Sequence, residues 1–466
     1  MSQKQKKTAR KNSRRRRKQK RGLCFGDRPL LEMNAAAIDV GARELWVAVP
    51  PGRDELTVRV FDTFTDDLQQ LVQWLIQCGI TTVAMESTGV YWIPIYELLE
   101  LSGIKACLVN SRHMKNVPGR RTDWHECQWL QYLHSVGLLR SAFRPPEQIC
   151  AMRAIMRQRG QLVQMACQHV QHMHKALTQM NLQIHHVIDD ITGLTGLAIV
   201  DAILGGQRDA AELAKLRHFR IKADPETIRK SLVGNWRHEH LFTLKQSRVM
   251  YGSYPRQIEE CDQEIQRLLQ AFEPKVDPEV KPLPPDQKKK RRRNHRDTES
   301  GFNLRVEMYK LFGVDVTQIP GLESLSLSLF TEIGRDLLRF PRASMFASWL
   351  QLCPDNDISG GQWWSKARKT KHRAGQLFRL AANSLHRNQS PLGHFLRRMK
   401  TKLGPRGAVL ATARKIAIIF YTMVKNQVEY DETMWAQQEA EQQKRLEARL
   451  RRQAQQLGYQ LVPAQS

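Results

Sequence analysis

Four carboxylates and one serine are the residues whose types and spacing can do chemistry here. Asp39 ends the apolar run Ala35-Ala36-Ala37-Ile38-Asp39-Val40, which Gly41 closes. Glu86 ends a second apolar run, Thr81-Thr82-Val83-Ala84-Met85-Glu86, ahead of Ser87-Thr88-Gly89. Asp123 and Glu126 lie one helical turn apart and so share a face. An acid at the end of a buried strand is costly unless it is paired or bound to a cation. Two strand-end acids and two helix acids gathered at one sheet edge repel one another until a divalent ion binds. Magnesium suits such a set, because it takes a few carboxylates together with water and phosphate oxygens. Two ions about 4 Å apart would clamp the entering and leaving oxygens of a phosphodiester. Ser359 precedes Gly360-Gly361 in the polar stretch Cys353–Gly361, where a serine hydroxyl can be exposed to a large substrate. Lys366, Arg368, Lys369, Lys371, His372 and Arg373 follow and can hold a phosphate. The plainer readings are capping or surface acids and a turn serine.

The elements that would position the acids can be read from the same stretch. The sequence predicts a strand at Ala35–Val40, then strand-like runs at Glu44–Val49 and Leu56–Phe61 separated by Pro50-Pro51-Gly52. Leu68–Ile76 and Ile93–Leu101 have helical spacing, and Thr81–Glu86 and Lys105–Val109 read as buried strands. Thr122 can cap the helix that carries Asp123 and Glu126. Acids placed this way match an RNase H-like α/β core. Between the last strand and this helix runs a basic stretch with Arg112, Lys115, Arg120 and Arg121, suited to bringing a phosphate backbone to the acids.

At 466 residues, several domains are expected. The net charge of +27 argues for a polyanion partner. Nucleic acid is preferred to a membrane, because no long apolar segment or signal peptide is read. The eight cysteines are scattered without a CxxC pair, as expected of reduced cytosolic thiols. His169, His172, His174, His185 and His186 read as a polar helix face in preference to a metal site.

Taken in order, residues 1–34 form a basic arm, disordered when free by composition. Residues 35–146 form the catalytic α/β domain. Residues 147–272 read as a coiled-coil stalk: Met156, Val163, Val170, Leu177 and Ile184 recur every seven residues, with Ala166, Met173 and Met180 at the second seam position. A second long helix, from about Leu244 to Phe272, can pair with the first. Residues 273–311 are a charged linker with the run Lys288-Lys289-Lys290-Arg291-Arg292-Arg293. Residues 312–428 form a mainly helical domain that holds the serine loop. Its Gln318-Ile319-Pro320-Gly321-Leu322 looks like a helix-hairpin-helix turn able to meet a phosphate. Residues 429–466 are a charged helical tail.

These motifs resemble the DEDD-type transposases of the insertion sequence one-ten family, eleven-eleven subgroup, which are bridge-RNA-guided serine recombinases. The resemblance rests on Ile38-Asp39-Val40-Gly41, Met85-Glu86-Ser87-Thr88-Gly89-Val90-Tyr91-Trp92, Val109-Asn110-Ser111-Arg112-His113 and Asn116-Val117-Pro118-Gly119-Arg120. It also rests on Thr122-Asp123, Cys127-Gln128-Trp129-Leu130-Gln131, Ile319-Pro320-Gly321 and Ile358-Ser359-Gly360-Gly361. It implies a RuvC-like first domain, a stalk and a C-terminal transposase domain, with acids of one protomer meeting the serine of another. Asp39, Glu86 and Asp123 match the first three metal-binding acids, and Ser359 matches the nucleophile. Glu126 stands where the family usually has Asp. The resemblance further implies Mg2+, donor and target DNA, a structured guide RNA, a dimer to tetramer, and a bacterial cytoplasmic, nucleoid-associated location. A hydrolytic RuvC-like nuclease and an inactive transposase remnant are the alternatives.

Overall fold

The computed structural model describes residues 30–87, 89–110, 122–286, 302–360, 362–366 and 372–431, with parts of 447–459. The chain divides into two compact units, residues 1–144 and 145–466.

In the first unit the apolar runs become strands. They are β1 (Ala35–Val40), β2 (Glu44–Ala48), β3 (Val58–Asp62), β4 (Thr82–Glu86) and β5 (Lys105–Val109). The sheet order is β3-β2-β1-β4-β5. β1 runs antiparallel to β2 and parallel to β4, and β4 runs parallel to β5. This is the mixed five-stranded sheet of an RNase H-like α/β domain. A tight turn joins β1 to β2, with Gly41 N donating to Glu44 O at 3.1 Å. A Cβ at Gly41 would stand 2.6 Å from that same oxygen, so the turn requires glycine.

Three helices cover the sheet: α1 (Thr65–Gln77), α2 (Trp92–Leu101) and α3 (Asp123–Ser135). Strand alternation divides their work. Ala36, Ile38, Val83 and Met85 pack with Leu71, Leu75, Ile95 and Leu99 of α1 and α2. Ala37 and Ala84 face the other way, toward Leu130 of α3.

The second unit is largely helical. Two long helices, α4 (Glu147–Gln179) and α9 (His238–Gln270), pack side by side. Arg159 pairs with Asp262 through bonds of 2.7 and 3.0 Å, and His169 stacks on Tyr254 at 5.7 Å, so the two helices run antiparallel. Between them lie α5 (Ile184–Val187), α6 (Leu194–Leu204), α7 (Ala210–Lys215) and α8 (Pro225–Ser231). The sequence expectation of one helix through Ile184 is corrected: α4 stops at Gln179, and Asn181 adopts φ +58°. Ala166, Met173, Leu177, Met180 and Ile184 are buried, Val163 and Val170 pack partly buried against them, and Val249 of α9 is exposed.

The remaining elements are α10 (Leu304–Phe312), α11 (Ser326–Ile333), α12 (Ala343–Trp349), the hairpin β6 (Asp355–Ser359) and β7 (Gln362–Lys366), α13 (Arg373–Ser384) and α14 (Pro391–Asn426). Phe330, Phe346, Phe378 and Phe420 form the aromatic centre of their core. The Ile319-Pro320-Gly321 turn is part of that core. Ile319 and Leu322 are fully buried, and Gly321 lies against Ala381 O, where a Cβ would stand 2.6 Å from it. Gly321 itself keeps partial exposure, and Glu323 just after it is exposed. Among the described residues one helix, α14, is long and apolar enough to cross a membrane. Its Ala413, Ile416, Ala417 and Phe420 are fully buried, so its apolar length serves the core.

Candidate active site

Asp39 and Glu86 end neighbouring parallel strands. Ile38 pairs with Met85, which sets the two acids side by side at the carboxyl edge. That edge is where open α/β sheets place their ligands. Just past Glu86, Ser87 N and Ser87 Oγ both donate to Val109 O, at 3.0 and 3.1 Å, and fix the end of β4.

Helix α3 brings the other two acids to this edge through a ladder of contacts with β1. Gln131 Nε2 donates to Ala35 O at 3.0 Å. Cys127 Sγ donates to Ala37 O at 3.3 Å and to Trp46 O at 2.9 Å. Four helical residues rise about 6 Å and two strand residues about 6.6 Å, so each helical turn advances one same-face strand position. The next rung after Gln131–Ala35 and Cys127–Ala37 is Asp123–Asp39, with Glu126 on the adjoining face. The alanines at positions 35 and 37 permit this close approach, and both are fully buried. At the other end, His134 Nε2 lies 2.9 Å from Thr82 Oγ1. As the sequence predicts, Thr122 caps α3 and accepts from His125 N.

The electrostatics confirm the convergence. The Asp39 carboxyl is pushed up to about 7, first by burial and then by Glu126, Glu86 and Asp123. Three elements, β1, β4 and α3, thus deliver four like charges to one place. Among the described residues, no three His, Cys, Asp or Glu side chains are already drawn together closely enough to hold an ion. The donor set still fits magnesium: hard carboxylate oxygens whose mutual repulsion a divalent cation relieves.

Residues 36–182 match the family model of the IS110-type DEDD transposases, described as a transposase. This part of the chain is similar to the DEDD transposases of the IS110 family. No curated protein matches the sequence. The match takes in the sheet from Ala36 onward, the acid-bearing α3 and all of α4, so it covers each element that builds the acidic edge.

The remaining site residues are placed unevenly. Ser359 is the last residue of β6 and pairs with Gln362, and Gly360 follows it at φ +57°. The polar loop read from the sequence is thus corrected to a tight hairpin, in which glycine meets the positive φ of the turn. Lys366 ends β7. Arg373 opens α13, its Nη1 lying 3.9 Å from Glu332 Oε1. Arg112, Lys115, Arg120, Arg121, Arg368, Lys369 and Lys371 lie outside the described residues, as do the basic arm and the lysine- and arginine-rich part of the linker. In the histidine run, His174 and His185 stack at 5.2 Å and His185 meets His186 at 4.2 Å; burial lowers the first two below the usual imidazole range. Two contributors were missed from sequence, the Cys127 and Gln131 contacts to β1. The signal was present, since 123, 127 and 131 recur every four residues on one helical face.

Proposed function

We propose that this transposase cuts and rejoins DNA through a covalent phosphoserine at Ser359. The acids of the RNase H-like domain act in the same reaction. The observation that carries this reading is the gathering of Asp39, Glu86, Asp123 and Glu126 at one sheet edge, with the Asp39 carboxyl raised by the other three. Four converging acids cost stability, and a phosphodiester-handling site gives them a use.

In the reaction, the Ser359 hydroxyl oxygen attacks phosphorus. A serine-oxygen-to-phosphorus bond forms and one sugar-oxygen-to-phosphorus bond breaks. The serine proton ends on the departing sugar hydroxyl. Because the phosphoester is conserved, another sugar hydroxyl can reverse the step and rejoin strands without an external energy source. Asp39, Glu86, Asp123 and Glu126 would hold Mg2+, which supplies positive charge to the phosphate oxygens when bound. Lys366 and Arg373, with Arg112, Lys115, Arg120, Arg121, Arg368, Lys369 and Lys371, would take the DNA backbone and fix its register.

Sequence choice is assigned to a structured guide RNA that pairs with donor and target DNA, so base pairing reads sequence while the protein reads backbone shape. The long antiparallel helices α4 and α9 would serve as a coiled-coil stalk between protomers of a dimer or tetramer.

The deciding experiment uses Ser359→Ala with labelled donor DNA and denaturing electrophoresis. Loss of both strand cleavage and the covalent protein–DNA adduct is expected, with DNA binding retained. Cleavage that persists in the variant without an adduct would establish hydrolysis and overturn the phosphoserine.

A further inference from the structure

Glu332, in the last turn of α11, faces three arginines from two neighbouring helices. Arg157 Nη2 donates to its Oε1 at 3.1 Å. Arg153 Nε lies 3.7 Å from its Oε2, and Arg373 Nη1 lies 3.9 Å from its Oε1. Arg153 and Arg157 are one turn apart on α4, and Arg373 is the first residue of α13. Arg153 spends its Nε–H on the Thr331 carbonyl at 2.9 Å, so its attraction to Glu332 is chiefly one of charge.

Three guanidiniums against one carboxylate leave two positive charges unbalanced within the group. Arg153 registers the excess. Its guanidinium is held below its ordinary value by burial and by Arg157 and Arg373, against the opposing pull of Glu332. His372, the residue preceding α13, adds no further charge, because burial holds its imidazole down at about 4 and so neutral. The first turn of α13 contains no acid. Glu332 itself stands at the end of α11 that the helix dipole makes unfavourable for a negative charge. It is held by its arginines and is a replaceable partner for them.

A backbone phosphate supplies what the cluster lacks: a fixed negative charge with two free oxygens that match guanidinium forks. Arg157 and Arg373 are open to solvent, at 45% and 59% exposure, whereas Arg153 is nearly buried. We propose that Arg153, Arg157 and Arg373 form a seat for a DNA backbone phosphate, which the Glu332 carboxylate fills until DNA arrives. This deepens the reading given under Proposed function, because α13 is the next helix after the serine hairpin. Arg157 and Arg373 contact the phosphate, and Arg153 positions them from beneath.

The test measures binding of the full-length chain to a labelled DNA duplex and to a structured RNA, by fluorescence anisotropy in EDTA across a salt series. Glu332→Gln is expected to tighten duplex binding about three- to tenfold. Arg157→Gln and Arg373→Gln are expected to weaken it by a similar factor, and each to lower the slope of log affinity against log salt by about one. Arg157→Lys and Arg373→Lys, which keep the charge, should keep the wild-type slope. Thermal melting identifies variants that fail to fold, and the lysine pair keeps the test decisive if Glu332→Gln is among them. If Glu332→Gln gives no gain and the two Arg→Gln variants keep the wild-type slope, the cluster is an ion-pair clasp joining α4, α11 and α13. A gain confined to the RNA would overturn the assignment to DNA. Because the assay requires no cleavage, its failure leaves the phosphoserine reading standing, and failure of the Ser359→Ala test leaves this one standing.

Discussion

Asp39 holds its proton to about pH 7 in the folded chain, whereas an unperturbed aspartate releases it near 3.8. The sign of the consequence follows from proton counting. Between the two values the folded state binds more protons than the unfolded state, so stability falls as pH rises through this window and levels off above it. Asp39→Asn removes the group and should flatten that decline. The variant is therefore expected to melt above the wild type at pH 8, with the gap closing toward pH 4. Parallel melting curves with a constant offset across that range would show that Asp39 does not carry the burden. The same variant should lose magnesium-dependent cleavage and any magnesium-induced rise in melting temperature at pH 8. At this scale the sequence was legible, because an acid ending an apolar run is costly and therefore conspicuous. Glu332 was not legible, since the Arg153–Arg157 pair and Arg373 lie far from it and from each other along the chain.

Helix α3 works as a positioning strut, and its ladder to β1 is where an element-scale defect should appear. Ala37 is fully buried between β1 and Leu130, beneath the Cys127 contact. Ala37→Leu would push α3 off the sheet and carry Asp123 and Glu126 away from Asp39. The expected cost is about 1–3 kcal/mol of stability. Cleavage should fall well below what that loss explains when measured at a temperature where the variant remains folded. Urea unfolding and cleavage rates on the same preparation check this, and activity that tracks the folded fraction alone would show that the acids tolerate the shift. The sheet and the α3 cap were readable because alternation and a Thr cap are local signals. The serine hairpin was harder to read. Its strands, Asp-Asn-Asp-Ile-Ser and Gln-Trp-Trp-Ser-Lys, lack clean alternation, and only the Gly-Gly pair marks the turn. The heptad positions were legible because apolar residues at that spacing share a helix face: Ala166, Met173, Leu177 and Met180 are buried, and Val163 and Val170 pack partly buried against the same cluster.

Over the whole molecule the governing quantity is the net charge of +27. It is spread over the N-terminal arm, the stretch preceding α3, the linker before α10 and the segment between β7 and α13. No single domain holds it all, so duplex DNA should meet positive charge from several parts of the chain at once. Each phosphate neutralised releases condensed counterions, and log affinity falls by about 0.9 per contact for each tenfold rise in salt. Even four contacts predict a loss of about a hundredfold between 50 and 200 mM salt. A chain lacking residues 1–21 should keep specific cleavage of matched DNA but show a shallower slope, because the arm contributes charge and no catalytic residue. A slope unchanged by the truncation would place the phosphate contacts in the folded units. A nearly flat slope in the intact protein would mean that its charge does not face nucleic acid at all, and would remove the electrostatic basis for reading this chain as a DNA-handling enzyme.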